Sequence, residues 1–343
     1  MFQRGSKLFY NVTKSLKPFN NVKMLSLLSR THLVAASNIS VKSRAVRAGP
    51  INQHFFCSTH NSQYWDYSEQ HGPGVWEKKW RVCKNQSPVH IVTEAAIYDP
   101  TLKPFQLNKS LVPVHVLNNG VNLSFCPVVE PKQILLSGGP LKQSYQLAEF
   151  HFHWGGVNSC GSEHSLDGKK FTAELHIVHW NCALYETKEK ALSSTNGIAV
   201  VGVFLDAHES HDCHASFNDL LKMAANVPYK NDTFSSSSTF TPYALLPENT
   251  EKFFTYPGSL TTPPLTENVT WTLFREPLKV SVLQLEKLNQ FKAVSENEKD
   301  KHHTVDFFPR CDGEIPQPPN ISNNFRPIQP LHDRIIRASF KTK

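Results

Sequence analysis

Two short stretches decide the fold of this 343-residue chain: Glu149-Phe-His-Phe-His-Trp-Gly155 and Ala173-Glu-Leu-His-Ile-Val-His-Trp-Asn181. Both combine aromatic and β-branched residues in the alternating pattern of a β-strand. Because successive side chains of a strand point to opposite faces, His151 and His153 share one face. The glycine-containing connection between the stretches is long enough to let them pair as antiparallel strands. This pairing brings His176 next to the first two histidines.

Three histidines on one sheet face indicate a catalytic zinc site. Catalytic Zn²⁺ commonly has three protein ligands and an open fourth position, whereas structural zinc takes four ligands, usually with cysteine among them. The other nitrogen of each ring needs an acceptor, and Glu149 and Glu174 lie on the right faces to provide one. The alternative is a polar strand face in a chain with 17 histidines, since short motifs also arise by chance. We therefore name His151, His153 and His176 as candidate metal ligands.

The rest of the chain alternates short strand-like stretches with turn-forming residues, which predicts a single α+β or mostly β domain. Helical periodicity is confined to Phe217–Ala225 and Val280–Phe291, so the helices should be short. Residues 64–80 are expected to be irregular because glycine, proline and aromatic residues cluster there, and residues 235–238 are expected to form a polar loop. Further strands are predicted at His115–Leu117, Ile198–Leu205 and Val269–Phe274.

The charge is unevenly distributed along the chain. The sequence has 36 Lys and Arg against 29 Asp and Glu, but residues 1–65 contain nine basic residues and no acidic one. The remaining chain therefore carries 27 basic and 29 acidic residues, a balance that excludes a nucleic-acid-binding body. Its longest apolar run, around Ile198–Leu205, is far shorter than the roughly 18 residues of a membrane span and suits a buried strand.

The acid-free N-terminal segment predicts a mitochondrial transit peptide at about residues 1–50, followed by a catalytic domain at residues 63–341. The segment is rich in Arg, Lys, Ser and Leu, and its apolar runs are too broken for a secretory signal. Seven cysteines without a CxxC pair fit a reducing compartment better than a disulfide framework. Secretion is the alternative, because N-x-S/T sequons occur, for example at Asn108 and Asn231. The predicted location is the mitochondrial matrix.

The order of motifs along the chain resembles that of the alpha-class carbonic anhydrases. The resemblance runs from about residue 64 to residue 340, and this many collinear motifs make it specific. It implies a large, twisted, mostly antiparallel sheet with peripheral short helices and with the metal at the base of a conical cleft. Besides the two histidine stretches, the motifs are Gln86-Ser-Pro-Val-His-Ile91, Asn118-Asn-Gly120, Gly138-Gly-Pro-Leu141, Gly161-Ser-Glu-His164, Tyr256-Pro-Gly-Ser-Leu-Thr-Thr-Pro-Pro264, Asn324-Phe-Arg-Pro-Ile-Gln-Pro-Leu331 and Ala338-Ser-Phe340.

The same resemblance implies a reaction and roles for further residues. The reaction is the reversible hydration of CO₂ to bicarbonate and a proton, by attack of a zinc-bound hydroxide on CO₂ held in an apolar slot. Thr261 would accept a hydrogen bond from this hydroxide and donate its own proton to Glu163, while Thr262 would contact bicarbonate. Asn324 would support the metal ligands together with Glu149 and Glu174. The residues implied for the slot are Val178, Val200, Leu260, Val269 and Trp271.

Three positions and one loop depart from the family pattern; the loop is the polar connection at residues 295–322, which is longer than the family norm. Glu149 stands where the family usually has Gln, and Val121 stands where fast members carry a proton-shuttling His. Members outside the cytosol commonly join a cysteine just before Gln-Ser-Pro to one just after Thr-Thr-Pro-Pro. Leu265 occupies the second of these places, so that disulfide cannot form here. None of these departures removes a candidate metal ligand.

The leading hypothesis is thus a zinc lyase acting on a small molecule, with no nucleic-acid partner and no membrane span. One alternative is a non-catalytic binding or interaction module with the same fold, and another is a structural or transport metal-binder. The intact set of three histidines favours the enzyme over the module. A metal-binder would be expected to supply a fourth protein ligand, and the sequence shows none. The oligomeric state does not follow from the sequence.

Overall fold

The computed structural model describes residues 64–80, 82–130, 132–156, 160–209, 214–298 and 319–342. The expected transit peptide, residues 1–50, lies outside this range. Within the described residues, no helix is both long enough and apolar enough to cross a membrane.

Short helices and many strands make up this part of the chain. The α-helices are α1 (Pro73–Lys79), α2 (Lys188–Leu192), α3 (Ala215–Ala224) and α4 (Val282–Glu286), and 3-10 turns cover Thr93–Ala95, Pro242–Leu245, Lys287–Gln290 and Glu296–Glu298. The strands are β1 (His90–Ile91), β2 (Ile97–Tyr98), β3 (Lys103–Leu107), β4 (Val112–Asn118), β5 (Leu123–Pro127), β6 (Leu135–Gly139), β7 (Leu141–Trp154), β8 (Ser165–Leu166), β9 (Ala173–Trp180), β10 (Ile198–His208), β11 (Thr233–Phe240), β12 (Phe253–Gly258), β13 (Val269–Phe274), β14 (Leu278–Ser281) and β15 (Arg337–Ala338).

One large sheet organises the described residues. Ten of its thirteen strands follow the order β11-β4-β5-β7-β9-β10-β13-β12-β15-β2, while β14 pairs with β10, and β6 bridges β3 and β7. Most pairs are antiparallel; β13 and β14 run parallel to β10, and β2 runs parallel to β15. β1 and β8 form a separate parallel pair. The predicted fold class, a mostly antiparallel sheet with short peripheral helices, is confirmed.

The alternation of β7 and β9 separates an apolar core from the histidine face. Phe150 and Phe152 belong to the main core cluster, together with Leu175 and Ile177 from β9. Burying such a side chain contributes about 1.5–3 kcal/mol, so these strands are anchored by their apolar faces. Helix α3 covers the same core, burying Phe217 and neighbouring apolar residues. The intervening histidines must therefore project to the opposite face.

Three local expectations need correction. Residues 64–80 are not wholly irregular, because Pro73 begins α1 and the fully buried Trp76 anchors it. The serine run 235–238 is not a loop but lies within β11, an edge strand paired with β4 through an irregular register. In Val280–Phe291, helix begins only at Val282, after β14 has ended at Ser281. The helix expected at Phe217–Ala225 is confirmed as part of α3.

Candidate metal centre

Three imidazoles from β7 and β9 converge on one face of the sheet. His151 lies directly opposite His176 in the antiparallel register, and His153 is two residues further along β7. The ring centroids of His151 and His153 are 5.1 Å apart, those of His151 and His176 5.3 Å, and those of His153 and His176 4.5 Å. One nitrogen from each ring lies within 4.8 Å of the others. No fourth ligand side chain joins these three in the described part of the chain.

Each ring uses its other nitrogen for a separate hydrogen bond. His151 Nδ1 lies 3.2 Å from Glu149 Oε1, and His176 Nε2 lies 2.8 Å from Glu174 Oε1. His153 Nδ1 lies 2.6 Å from the backbone oxygen of Asn324. These contacts leave Nε2 of His151, Nε2 of His153 and Nδ1 of His176 for a common ligand. Acceptors of this kind fix the tautomer and orientation of metal-binding histidines.

The electrostatics of the cluster suit a metal cation. Burial lowers the pKa of His153 to about 3 and that of His176 to about 4, so both rings are neutral near pH 7 and have a free lone pair. The buried Nε2 of His153 has no hydrogen-bond partner among the described residues. Neutral imidazoles are good ligands for Zn²⁺, and the donor set therefore fits this ion.

Glu174 is shared between His176 and a second buried histidine, His164. The backbone N–H of His164 donates to Glu174 Oε2 at 2.8 Å, and its Nδ1 lies 2.7 Å from Oε1. His164 Nε2 lies 2.6 Å from the hydroxyl of Tyr256, which donates to Ser87 Oγ at 2.9 Å. Burial raises the pKa of Glu174, but the charges and hydrogen bonds of the two histidines outweigh it and hold that pKa well below the usual range. Sequence reasoning assigned no role to His164 or Tyr256, although both lie in recognised motifs.

Glu149 is held as a carboxylate although it is 5% exposed. The Ser124 hydroxyl donates to its Oε2 at 2.5 Å, while Oε1 faces His151. Burial raises the pKa of Glu149, but the net shift is downward. The opposing causes are the hydrogen bond and charge of His151, the hydrogen bond from Ser124 and the charge of Lys188. The structure therefore gives the unusual residue at this position a complete set of partners, of which Ser124 and Lys188 were not predicted.

Glu163 and Thr261, the pair implied to orient the nucleophile, lie beside the cluster. Glu163 is fully buried, its Oε1 accepts the Arg326 backbone N–H at 2.7 Å, and its Oε2 lies 3.9 Å from His176 Nδ1. Burial raises the pKa of Glu163, while the charge of His176 and a side-chain hydrogen bond from Thr261 oppose that shift. Apart from the Thr261 hydroxyl, which lies close enough to lower this pKa, no described residue is a hydrogen-bond donor to Oε2. That oxygen is thus available to the nearby Thr261 hydroxyl.

The implied slot residues are apolar and buried, and three of them form a row across neighbouring strands. Val178 on β9 pairs with Val200 on β10, and Val200 pairs with Trp271 on β13. The Trp271 ring lies 4.8 Å from the ring of His176, which places this row beside the metal cluster. Val269 and Leu260 are also buried, with 3% and 8% of their surface exposed.

The remaining predicted positions differ in how closely they are tied to the cluster. The Asn324 side chain donates to Val121 O at 3.1 Å and accepts from Trp154 N at 2.8 Å, so it links position 121 to the end of β7. Val121 and Thr262 are both partly exposed. Among the described residues, neither side chain makes a hydrogen bond that defines its role.

The mostly antiparallel sheet and its cluster of three histidines have the arrangement of a carbonic anhydrase. Residues 71–340 match the family described as eukaryotic-type carbonic anhydrase. Carbonic anhydrase 7 of Mus musculus is 40% identical over 280 residues, which cover 81% of this chain and 97% of that protein. The mitochondrial carbonic anhydrase 5B of Homo sapiens is 38% identical over 259 residues, 75% of this chain and 74% of that protein. The corresponding protein of Rattus norvegicus is 36% identical over 274 residues, 78% of each chain.

The chain belongs to the eukaryotic-type carbonic anhydrase family, as its motifs predicted, and it is a carbonic anhydrase enzyme. The general activity of this family is the hydration of carbon dioxide, a reaction of small molecules. The matched region spans 97% of the mouse carbonic anhydrase 7 and 74% of the human carbonic anhydrase 5B, so the similarity covers most of each protein.

Proposed function

We propose that this enzyme binds one Zn²⁺ through His151, His153 and His176 and catalyses the reversible hydration of carbon dioxide to bicarbonate and a proton. The observation that carries the proposal is the buried Nε2 of His153, which lacks a hydrogen-bond partner among the described residues while Nδ1 of the same ring is bound to Asn324. An unsatisfied buried polar atom costs about 1–3 kcal/mol. A metal ligated at this nitrogen removes that cost.

Zn²⁺ held by these three imidazoles would lower the pKa of a bound water to about 7, the effect for which carbonic anhydrases are the standard example. The residues of the chain orient the reactants. As a carboxylate, Glu163 can only accept a hydrogen bond, so it accepts one from the Thr261 hydroxyl and leaves Thr261 a lone pair for the nucleophile. Thr261 thereby fixes the direction from which the nucleophile attacks carbon dioxide. Its contribution to the rate comes from orienting the reactants more than from stabilising charge.

The apolar residues next to the cluster hold the substrate. Carbon dioxide has no net dipole, so a dry surface of Val178, Val200 and Trp271 binds it without an unpaired polar group. Leu260 and Val269 complete this surface in the proposal, and Thr262 contacts the bicarbonate product at the partly exposed side. Glu149, Glu174 and Asn324 hold the three imidazoles in the orientation that binds the metal.

Metal analysis and a CO₂ hydration assay on the purified protein test this proposal together. We expect one zinc per chain, and we expect His151→Ala, His153→Ala and His176→Ala each to abolish hydration and lower the zinc content. The matched control is His179→Gln. His179 is a buried histidine of strand β9, which also carries His176. Its Nε2 lies 2.7 Å from the Tyr243 hydroxyl and not in the metal cluster.

The control should lose stability but keep its zinc. Full zinc occupancy in the His176→Ala protein would contradict the assignment of the metal site.

We also propose that the mature enzyme acts in the mitochondrial matrix, with residues 1–50 as its transit peptide and residues 63–341 as its catalytic domain. Nine basic residues and no acidic one before residue 66 support this, as do the similar proteins whose names place them in mitochondria. A fusion of residues 1–60 to a fluorescent reporter should colocalise with mitochondria. Secretion of that reporter, or glycosylation of the native protein at Asn108 or Asn231, would contradict the proposal.

A further inference from the structure

The carboxylate of Glu267 joins two segments that are far apart in the sequence. Its Oε1 accepts the backbone N–H groups of Cys83 and Asn85, each at 3.0 Å, and the Gln86 side-chain Nε2 at 2.7 Å. Gln86 Nε2 also donates to the backbone oxygen of Leu265 at 3.2 Å. Three donors on one carboxylate oxygen form a strong, charge-assisted contact. It ties residues 83–86 to the chain that follows the Thr-Thr-Pro-Pro motif, where family members outside the cytosol place a disulfide.

On one side, this contact holds the loop that carries Thr261. The loop is closed on itself by hydrogen bonds from Leu260 N to Thr266 O at 3.0 Å and from Leu265 N to Thr262 O at 2.9 Å. Glu267 directly follows the closing residue. Fixing Glu267 therefore fixes the end of a closed loop, and Thr261 lies within it.

On the other side, the contact extends to Glu163. The Gln86 side chain, whose residue is only 4% exposed, accepts Arg326 Nη1 at 2.7 Å through its Oε1, and Nη1 also donates to Ser87 O at 2.8 Å. The backbone N–H of the same Arg326 donates to Glu163 Oε1 at 2.7 Å. Glu267 and Leu265 accept hydrogen bonds from the amide nitrogen of Gln86, and this fixes the orientation of the amide. The amide oxygen of Gln86 therefore faces Arg326 and accepts its hydrogen bond.

We propose that Glu267 is a positioning residue that fixes the positions of Thr261 and Glu163 relative to each other. It acts on Thr261 through its own loop and on Glu163 through Gln86 and Arg326. The inference rests on the proposed function, because it assumes that Thr261 and Glu163 orient the nucleophile. The hydrogen bonds described for Glu267 go to residues 83–86 and not to the candidate metal ligands. Removal of Glu267 should therefore impair the hydration step, which kcat/KM reports, and leave zinc binding unchanged.

The test is a double-mutant cycle between Glu267 and Thr261 in the zinc-loaded, full-length enzyme. We expect Glu267→Ala to lower kcat/KM about tenfold and kcat by less, because proton export limits kcat, with one zinc per chain retained. In the Thr261→Ala background the same change should cost less than about twofold, because the group that Glu267 positions is already gone. Glu267→Gln keeps the acceptor oxygen and should restore kcat/KM to within about threefold of the wild type.

Two further measurements separate positioning from general stability. Hydrogen exchange of the Arg326 amide should accelerate about tenfold or more in Glu267→Ala, because the segment that presents it to Glu163 is released. The matched control is Asp99→Ala. The Asp99 carboxylate accepts three hydrogen bonds, from Thr101 N at 2.9 Å, Thr101 Oγ1 at 2.6 Å and Arg337 Nη1 at 2.8 Å, beside the edge strand β2. This variant should lower Tm and leave kcat/KM and the Arg326 amide unchanged.

The outcomes distinguish this inference from the proposed function. Equal losses for Glu267→Ala in the wild-type and Thr261→Ala backgrounds, or an unchanged Arg326 amide, would overturn the positioning role. Full activity in Thr261→Ala alone would instead overturn the proposed role of Thr261, and the Arg326 exchange rate would still test the link to Glu163. If Glu267→Ala does not fold, Gln86→Met breaks the same link at constant volume and should give the same loss of kcat/KM and the same faster exchange of the Arg326 amide.

Discussion

His153 Nδ1 lies 2.6 Å from the backbone oxygen of Asn324, which is 171 residues further along the chain. The Asn324 side chain strengthens this link, because its Oδ1 accepts Trp154 N at 2.8 Å and its Nδ2 donates to Phe152 O at 3.2 Å. The two backbone partners flank His153 on β7. A single buried asparagine therefore sets the position of the carbonyl that orients a candidate ligand.

The first prediction concerns this asparagine. Asn324→Ala keeps the backbone carbonyl but removes the side-chain bonds that hold it, so we expect zinc affinity to fall about tenfold or more. Loss of buried hydrogen bonds should also reduce the free energy of unfolding by about 2–3 kcal/mol. Zinc affinity is measured by competition with a chelator, and stability by urea unfolding.

The neighbouring residue provides the control for Asn324. Asn323 has a positive φ of 52°, and its Oδ1 accepts Gly156 N at 3.0 Å away from the histidine cluster. Asn323→Gly preserves the backbone conformation and should leave zinc affinity within about twofold of the wild type. Equal zinc affinity in Asn324→Ala and the wild type would show that the carbonyl needs no side-chain support.

The second prediction concerns the carboxylate beside His151. In Glu149→Gln the amide can keep one hydrogen bond to His151 Nδ1, but it removes a buried negative charge that Ser124 and Lys188 support. A carboxylate partner makes a histidine ligand a better donor, so we expect zinc to dissociate about tenfold faster in the variant. Transfer of zinc to a chromogenic chelator measures this rate.

Ser124→Ala tests the same carboxylate from its other side. It removes the 2.5 Å hydrogen bond to Oε2 and keeps the charge, so the effect on zinc dissociation should be smaller than that of Glu149→Gln. A slower zinc release in Glu149→Gln than in the wild type would contradict the role given to the charge.

Local patterns predicted the parts of the site that lie within single strands. The two-residue spacing of His151 and His153, and the placement of Glu174 two residues before His176, are direct results of strand alternation. The closeness of β7 and β9 followed from a glycine-containing connection that is long enough to let two similar stretches pair. These features depend on neighbours in the sequence, so the sequence alone is sufficient to find them.

The supporting contacts could not be predicted in the same way. Asn324, Arg326 and Ser124 reach the site from distant segments, and nothing in their local pattern indicates where the chain returns. The resemblance named Asn324, but only the structure shows its backbone oxygen on His153. The wrong expectation for residues 235–238 has a related cause. Serine is a poor strand former, but edge pairing with β4 overrides its preference.

The third prediction concerns the stability of the zinc-free protein at mildly acidic pH. Burial lowers the pKa of His153 and His179 to about 3 and that of His176 to about 4, against 6.5 for an exposed imidazole. The unfolded chain therefore binds more protons than the folded one below pH 6.5, and the free energy of unfolding falls as the pH falls. At pH 5.5 the loss is roughly 1.4 kcal/mol for each of these imidazoles.

Glu163 acts in the opposite sense, because its pKa is raised in the folded protein. One carboxyl group does not offset three imidazoles, so we expect the urea midpoint of the zinc-free protein to be lower at pH 5.5 than at pH 7.5. In the zinc-loaded protein, ligation keeps protons off the ligands, and the midpoint should change less over the same range. An unchanged midpoint in the zinc-free protein would show that these histidines are not buried in their neutral form.

The last prediction concerns the proton that each hydration cycle releases. A partly exposed histidine near the cleft can relay it, because an imidazole takes up and releases protons at working pH. Val121 occupies the position where fast members of the family carry such a group, and its backbone oxygen accepts a hydrogen bond at 3.1 Å from Nδ2 of Asn324, the residue whose carbonyl contacts His153. Valine has no ionisable group. We therefore expect kcat to be limited by proton export and to rise as imidazole buffer is added.

Val121→His should raise kcat at low buffer concentration while leaving kcat/KM nearly unchanged, because the metal ligands, Thr261 and the apolar slot are untouched. Val121→Ala is the control: it alters the same surface without adding a proton acceptor and should keep the buffer dependence of the wild type. Stopped-flow CO₂ hydration over a series of buffer concentrations measures both parameters. If wild-type kcat does not depend on buffer, another group already exports the proton. Ionisation of Tyr67, beside Trp76, does not supply that group, because burial raises the pKa of Tyr67 well above its usual range. Val121→His would then bring no gain in kcat.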